Sequence, residues 1–176
     1  MLVEVRDAAS AAAAESQGAE GLSLTTGVSG VRDATSLPIL LCDGSPEDAQ
    51  TAGADAWLLV SERVHDELLE ELYGSTQAFG LECVVDVRDE EELELVLQRI
   101  DPEIFLLSSR EADGEQGALA RVLELLPDVP AGKLAVAELR GATHEQVSVL
   151  ERAGVDAVLV AAGDLAAVMS AQRPTA

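Results

Sequence analysis

Short apolar runs recur along the chain, with more polar segments between them. Each run is four or five residues long and almost continuously apolar, which is typical of strands that are buried on both faces. Eight such runs are present, at residues 2–5, 21–24, 38–41, 56–60, 83–87, 104–108, 134–138 and 157–161. The segments between them are long enough for a helix and two short loops.

These intervening segments carry signals for both ends of a helix. Ser45 is followed by a proline and two acids, and Thr143 has a glutamine three positions later, so both residues are typical N-caps. Asp89 precedes three glutamates, which suit the positive end of a helix dipole. Glycines stand shortly before predicted strands, where helices commonly end in the left-handed conformation, at positions 18, 53, 80 and 154.

One phrase, a glycine, a small residue and an acid, precedes the runs that begin at residues 21, 56 and 157. Alternation of strands and helices predicts βαβ units and a parallel sheet. We interpret the eight units as an α/β fold, a compact single-domain (β/α)8 TIM barrel over residues 1–176 with minimal loops. TIM barrels typically need about 250 residues, and this chain has 176. An open doubly wound sheet of fewer strands is therefore the alternative. Residues 25–36 contain few apolar positions, so the second helix should be short or absent.

Charge and composition exclude several functions. The chain has 33 acids against 11 bases, and its net charge of −22 disfavours nucleic acid and anionic membranes as partners. No apolar run approaches the ~18 residues of a membrane span. The pattern of Cys, His and Gly residues predicts no metal site and no cofactor site.

The chain has two cysteines, Cys42 after the third run and Cys83 in the fifth. We expect both to be reduced thiols of a cytoplasmic protein, at opposite ends of the barrel. The oligomeric state stays open.

Several phrases, in order along the chain, resemble the indole-3-glycerol phosphate synthase family. Residues 80–93 (GLECVVDVRDEEEL) resemble a family phrase in which an acid-rich helix follows VEVH, and residues 37–43 (LPILLCD) resemble PVLRKDF. Residues 108–110 (SSR) resemble NxRDL, residues 136–138 (VAE) resemble AESGI, and residues 154–161 (GVDAVLVA) resemble GADAVLVG. The resemblance implies a TIM barrel of tryptophan biosynthesis. Its reaction, that of a carboxy-lyase, closes an indole ring on a phosphorylated anthranilate derivative with loss of water and carbon dioxide.

The resemblance also implies roles for individual positions. Catalytic roles fall to Glu4, Cys42, Asp86, Arg110 and Glu138, and contacts to a phosphate fall to Arg6 and Gly163. If the barrel is closed, the three carboxylates are expected to converge at its C-terminal mouth, with Arg6 and Arg110 as ion-pair partners.

Three departures from the family pattern affect these roles. Cys42 stands where the family has its catalytic lysine, and a thiol carries no positive charge. Ala161 and Ala162 replace a glycine-serine phosphate pair, and the family's long first loop is missing after Arg6. Two interpretations stay open: a family-like barrel that is catalytically impaired or inactive, or a barrel that retains weak lyase activity or binds a small phosphorylated ligand.

Overall fold

Eight parallel strands close into a barrel in chain order. The computed structural model describes residues 1–27, 29–109 and 114–170 of the chain. The strands are β1 (Leu2–Glu4), β2 (Gly21–Leu24), β3 (Ile39–Leu41), β4 (Ala56–Val60), β5 (Glu82–Val87), β6 (Ile104–Leu107), β7 (Leu134–Leu139) and β8 (Ala157–Ala161). Each strand pairs with the next, and β8 pairs with β1. The predicted TIM barrel is therefore confirmed, and the open-sheet alternative is wrong.

Helices connect the strands around the outside of the barrel. They are α1 (Ala8–Ser16), α2 (Val31–Ala34), α3 (Pro46–Thr51), α4 (Asp66–Ala78), α5 (Glu90–Arg99), α6 (Gly114–Leu125), α7 (His144–Ala153) and α8 (Ala162–Ser170). As predicted, the second helix is short, with four residues after a left-handed glycine at Gly30. No helix in the described part of the chain combines the length and apolar character needed to span a bilayer.

The helix ends form where the sequence signals predict them. Ser45 and Thr143 each accept a hydrogen bond from the backbone three residues later, and both complete a reciprocal capping box. Asp89 accepts a hydrogen bond from the backbone N–H of Glu92 at the start of α5, without a reciprocal capping box. Gly154 ends α7 with φ at 102°. Glycine adopts this left-handed backbone conformation readily, whereas residues with a Cβ atom do so only at a cost in free energy. Local chemistry therefore sets the limits of these helices before any packing is considered.

Period-two alternation along the strands separates two apolar cores. Side chains that point into the barrel form one cluster, which comprises Leu40, Leu58, Val84, Leu106, Val136 and Leu159. Their strand neighbours point outward and pack against the helices; Trp57 and Phe105 belong to this larger outer cluster. Cys42 packs against the inner cluster and Cys83 belongs to the outer one. Both thiols are free, as predicted.

The acid of the recurring phrase ties neighbouring strands together at the N-terminal end of the barrel. Asp55 accepts a hydrogen bond of 2.8 Å from the backbone N–H of Ile39, and Asp156 accepts one of 2.8 Å from Ala135. Glu20 pairs instead with the terminal amine of Met1. The phrase therefore satisfies backbone donors where a strand begins, far from the opposite mouth of the barrel.

Candidate functional site

A cavity of about 240 Å³ opens at the C-terminal mouth of the barrel. Glu4 ends β1, Cys42 follows β3, Asp86 lies in β5 and Glu138 lies in β7, and all four line this cavity. They converge because each stands two positions after a residue of the barrel interior, so that the period of a strand turns it inward. Below them, leucines of the inner cluster form an apolar floor.

Asp86 is the most deeply buried carboxyl in this cavity, with a residue exposure of 5%. Ser108 Oγ donates a hydrogen bond of 2.5 Å to Asp86 Oδ1, and an Arg88 nitrogen lies 3.4 Å from Oδ2. Burial raises the pKa of Asp86, whereas Ser108 and Arg88 lower it and repulsion from Glu138 adds to the rise. Burial outweighs the two favourable partners, so Asp86 holds its proton more tightly than an exposed aspartate does.

Different arginines from those expected pair with the carboxylates. Arg88 contacts Asp86 and also Glu62, and Arg140 Nε lies 3.6 Å from Glu138 Oε1. Arg6 is exposed and does not line the cavity. Arg110 lies outside the described residues.

A sequence signal could have identified the observed pairs. In Asp86-Val87-Arg88 and in Glu138-Leu139-Arg140 an acid and an arginine stand two positions apart, which places them on one face of a strand or its continuation. Glu4 and Arg6 share this spacing, but Arg6 is exposed and does not line the cavity. The spacing therefore indicates candidate pairs and does not by itself decide which of them form.

The Cys42 thiol is neutral. Burial raises its pKa to about 12, and the negative charges of Glu138, Glu4, Asp86 and Asp43 act in the same direction. The sulfur of Cys42 lies 4.0 Å from the carbonyl oxygen of Leu40, which is a long distance for a hydrogen bond. Cys42 can therefore supply neither a positive charge nor a thiolate to the cavity at neutral pH.

The first turn of α8 lies beside the mouth, where the resemblance implies a phosphate site. Gly163 is exposed in this turn, and β8 continues directly from Ala161 into the helix at Ala162. Asp164, in the same turn, accepts a hydrogen bond of 2.9 Å from the backbone N–H of Gly141. A carboxylate of the protein itself thus stands at the positive end of this helix.

The described residues contain no group of three or more His, Cys, Asp and Glu side chains placed to hold a metal ion. What the mouth offers chemically is one acid whose pKa is raised by burial, Asp86, and two half-buried glutamates, Glu4 and Glu138, above an apolar floor. Three arginines also line the cavity, Arg63, Arg88 and Arg140. The Arg140 side chain is 84% exposed, whereas the Arg88 side chain is 19% exposed and contacts Asp86.

Comparison with a solved structure supports the fold alone. An N-acetylmannosamine-6-phosphate 2-epimerase from Clostridium perfringens superposes with a TM-score of 0.75 and covers 97% of this chain and 89% of its own. Its sequence identity is 14%. The comparison therefore shows that the two proteins share the barrel fold, and nothing further.

Sequence comparisons are more specific. The chain is 33% identical over 165 residues to indole-3-glycerol phosphate synthase of Geobacillus sp. (strain WCH70), which covers 85% of this chain and 64% of the relative. It is 34% identical over 141 residues to that of Shouchella clausii (strain KSM-K16), covering 77% of this chain and 55% of the relative. The chain thus spans between half and two-thirds of the length of these relatives. The family model for indole-3-glycerol phosphate synthase matches residues 30–173. With most of the barrel matched, this chain belongs to the indole-3-glycerol phosphate synthase family.

Proposed function

We propose that this protein is a catalytically silent member of its family, whose barrel mouth binds a small ligand without closing an indole ring. The observation that carries the proposal is the neutral thiol of Cys42, at the position where the family resemblance places a catalytic lysine. A ring closure with loss of water needs a proton donor and a positive charge near the reacting carbons. Cys42, with a pKa of about 12, supplies no positive charge and holds its proton firmly.

The surroundings of Cys42 do not replace the missing charge. Arg88 reaches Asp86 but is also held by Glu62 on the outer side of the mouth. Arg140 extends into solvent from Glu138. Among the described residues, three arginines line the cavity, Arg63, Arg88 and Arg140, and carboxylates already engage two of them, Arg88 and Arg140.

The phosphate end of the site supports the same proposal. Ala161 and Ala162 offer no side-chain hydroxyl, and the carboxylate of Asp164 already accepts from Gly141 at the start of α8. A phosphate at this helix end would meet that negative charge at close range. Arg6, the other residue for which the resemblance implies a phosphate contact, is exposed outside the cavity.

The first connection of the barrel is too short to cover a substrate. Residues 5–7 are all that separates β1 from α1, and Asp7 is already the N-cap of the helix. Exclusion of water strengthens the electrostatic interactions on which catalysis depends, and a mouth without a lid lacks that benefit.

One observation favours a second function, a weak lyase. Glu4, Asp86 and Glu138 converge in one cavity, and the raised pKa of Asp86 suits a general acid. Under this alternative Asp86 would donate the proton that Cys42 cannot. Its predicted signature is slow turnover that Asp86→Asn abolishes.

An assay of turnover by the full chain distinguishes the catalytically silent barrel from the weak lyase. The purified protein is incubated with the family's phosphorylated anthranilate substrate, and formation of indole-3-glycerol phosphate is followed. We expect no turnover above buffer from the native chain or from Cys42→Ser, which keeps a neutral side chain. Cys42→Lys should gain activity, because it restores an ammonium among carboxylates. Native turnover that Asp86→Asn removes would establish the lyase instead.

A further inference from the structure

A second cavity, of about 350 Å³, opens at the N-terminal end of the barrel, opposite the mouth. Its volume lies within the range of about 300–1,000 Å³ that is typical of small-molecule sites. Residues of the inner apolar cluster line both this N-terminal cavity and the mouth cavity, and they separate the two. The N-terminal cavity is lined by the first residue of every strand, namely Leu2, Gly21, Ile39, Ala56, Glu82, Ile104, Leu134 and Ala157.

Small residues at the start of three strands leave this space open. Gly21, Ala56 and Ala157 begin β2, β4 and β8. Ala56 and Ala157 pack against the inner cluster, because each stands two positions before one of its leucines on the same face of the strand. Larger side chains at these positions would occupy the N-terminal cavity, which gives a direct way to test it.

Apolar side chains form the inner end of the N-terminal cavity. Leu40, Val84 and Val136 are buried there, whereas Leu134, at the edge, is 47% exposed. The cavity therefore leaves hydrocarbon in contact with water. A ligand with an apolar body gains free energy by removing this surface from water.

The charged residues that line the N-terminal cavity, among those that the structure describes, are all acids: Glu20, Asp55, Glu82 and Asp156. Two of these acids pair with cations of the protein, the terminal amine of Met1 and the guanidinium of Arg32. Glu82 and Asp156 form no ion pair with any described residue. Glu82 also pairs in register with Ala56 across β4 and β5, so its carboxylate stands beside the space that the alanine leaves.

The single lysine of the chain does not neutralise this edge. Lys133 precedes Leu134 but does not line the cavity, and its ammonium lies 2.7 Å from Asp101 and 3.0 Å from Glu103. The excess of negative charge favours a cation and disfavours an anion. It also disfavours a second copy of this chain, which would bring the same acids to the same face.

We propose that the N-terminal cavity binds a small organic cation with an apolar body, of the arylalkylammonium class. Its hydrocarbon lies against Ala56 and Ala157, and its charge lies beside Glu82. The apolar interior supplies the main gain in free energy, and the free carboxylate selects the sign of the charge. This inference goes beyond the proposed function and is independent of it, because it concerns the opposite end of the barrel.

Titration of the native full-length chain tests the proposal. The probes are benzylammonium chloride, benzyl alcohol and sodium benzoate, which share a ring and differ in charge, and backbone amide chemical shifts are recorded at neutral pH. We expect saturable shifts at the starts of β4, β5 and β8, with benzylammonium binding tightest and benzoate weakest. Glu82→Gln should weaken benzylammonium binding about threefold, the effect usual for an exposed ion pair, and should leave benzyl alcohol unaffected.

Filling the cavity tests its apolar part separately. Ala157→Leu and Ala56→Leu should each abolish saturable binding of benzylammonium and of benzyl alcohol, because the added side chain occupies the ligand's place. Ala12→Leu, at an exposed position on α1, is the matched control and should bind as the native chain does. Thermal unfolding of each variant identifies a loss that arises from misfolding, and the native titration stands without the variants.

A second control separates the site from general attraction to an acidic protein. Glu91→Gln removes the same charge from an exposed position on α5, and benzylammonium affinity should stay unchanged. Equal losses in Glu82→Gln and Glu91→Gln would overturn the proposal, as would equal affinity for benzylammonium and benzyl alcohol, or shifts confined to the C-terminal mouth. Sedimentation that shows a dimer of the native chain, lost in Ala157→Leu, would overturn it in favour of a second copy.

Discussion

Ser108 Oγ donates a hydrogen bond of 2.5 Å to Asp86 Oδ1, between adjacent strands in the buried upper part of the barrel. The hydroxyl stabilises the charged carboxylate, whereas burial destabilises it. Twenty-two positions separate the two residues along the chain. Their contact therefore depends on the pairing of β5 with β6, which places Asp86 opposite Leu106 and brings Ser108 to the top of the neighbouring strand.

Removing that hydroxyl should shift the titration of Asp86. In Ser108→Ala, the pKa of Asp86 should rise further, because burial is then opposed by Arg88 alone. The free energy of unfolding near neutral pH should fall by about 1–3 kcal/mol, the usual cost of losing a partner for a buried charge. The ¹³C shift of the Asp86 carboxyl carbon, followed against pH, measures the first effect. Ser16→Ala on α1 is the control, and an unchanged titration of Asp86 would refute this account.

The raised pKa of Asp86 also predicts a pH dependence of stability. Because the folded-state pKa lies above 3.8, the stabilising contribution of this group is fully present below pH 3.8 and is lost as pH rises through the folded pKa. Asp86→Asn cannot ionise, so its stability should rise relative to the native chain between about pH 4 and pH 7. Urea unfolding across this range measures the difference. Stability curves that run parallel would show that Asp86 titrates normally.

Both cysteines should resist alkylation in the folded protein. Burial raises the pKa of Cys42 and of Cys83 to about 12, well above the ordinary thiol value of 9.0. At pH 8 the thiolate fraction, and with it the rate of reaction with iodoacetamide, should be about a thousandfold below that of an unperturbed thiol. Rapid labelling of both thiols in urea is the control. Fast labelling of native Cys42 would show that this thiol ionises readily. It would thereby remove the main observation that supports the proposed function.

The two acids that link strands at the N-terminal end of the barrel, Asp55 and Asp156, should differ in their contribution to the free energy of unfolding. Asp55 accepts from the backbone of Ile39 and from Arg32, which also binds the carbonyl oxygens of Thr35 and Leu37. Asp156 has a hydrogen bond to the backbone of Ala135. Alanine at position 55 should therefore cost about 2 kcal/mol of unfolding free energy, and alanine at position 156 about 1 kcal/mol. Chemical denaturation measures both, and equal losses would mean that Arg32 adds nothing.

Two helix-ending glycines provide a further matched pair. Gly18 and Gly154 have φ values of 98° and 102°, where an alanine costs about 1–2 kcal/mol. A Cβ at position 18 would lie 3.0 Å from the terminal carbon of Met169, whereas nothing lies within 4 Å at position 154. Gly18→Ala should therefore lower the melting temperature more than Gly154→Ala. The reverse order would show that the Met169 side chain moves away without cost.

Pairing across the barrel explains why part of the site was predictable and part was not. The convergence of Glu4, Asp86 and Glu138 could be predicted, since parallel strands bring their C-terminal ends to one edge. Of the expected arginine partners, Arg6 is exposed outside the cavity, and Arg110, which lies outside the described residues, stays a prediction. The observed partners Arg88 and Arg140 depend on side-chain contacts that the spacing along the sequence does not fix. Ser23, which also lines the cavity, gave no signal, since an isolated serine in an apolar run is compatible with either face until the register is known.

The sequence by itself determined the number, order and approximate limits of the strands and helices, because caps, glycines and apolar runs act over a few neighbouring residues. It also determined the missing lysine at position 42 and the large negative charge. Only the tertiary structure decided that eight strands close, which of their alternating side chains face the interior, and that Asp164 occupies the end of α8. These outcomes depend on register and on contacts between residues far apart in the chain, and both are settled when the barrel closes.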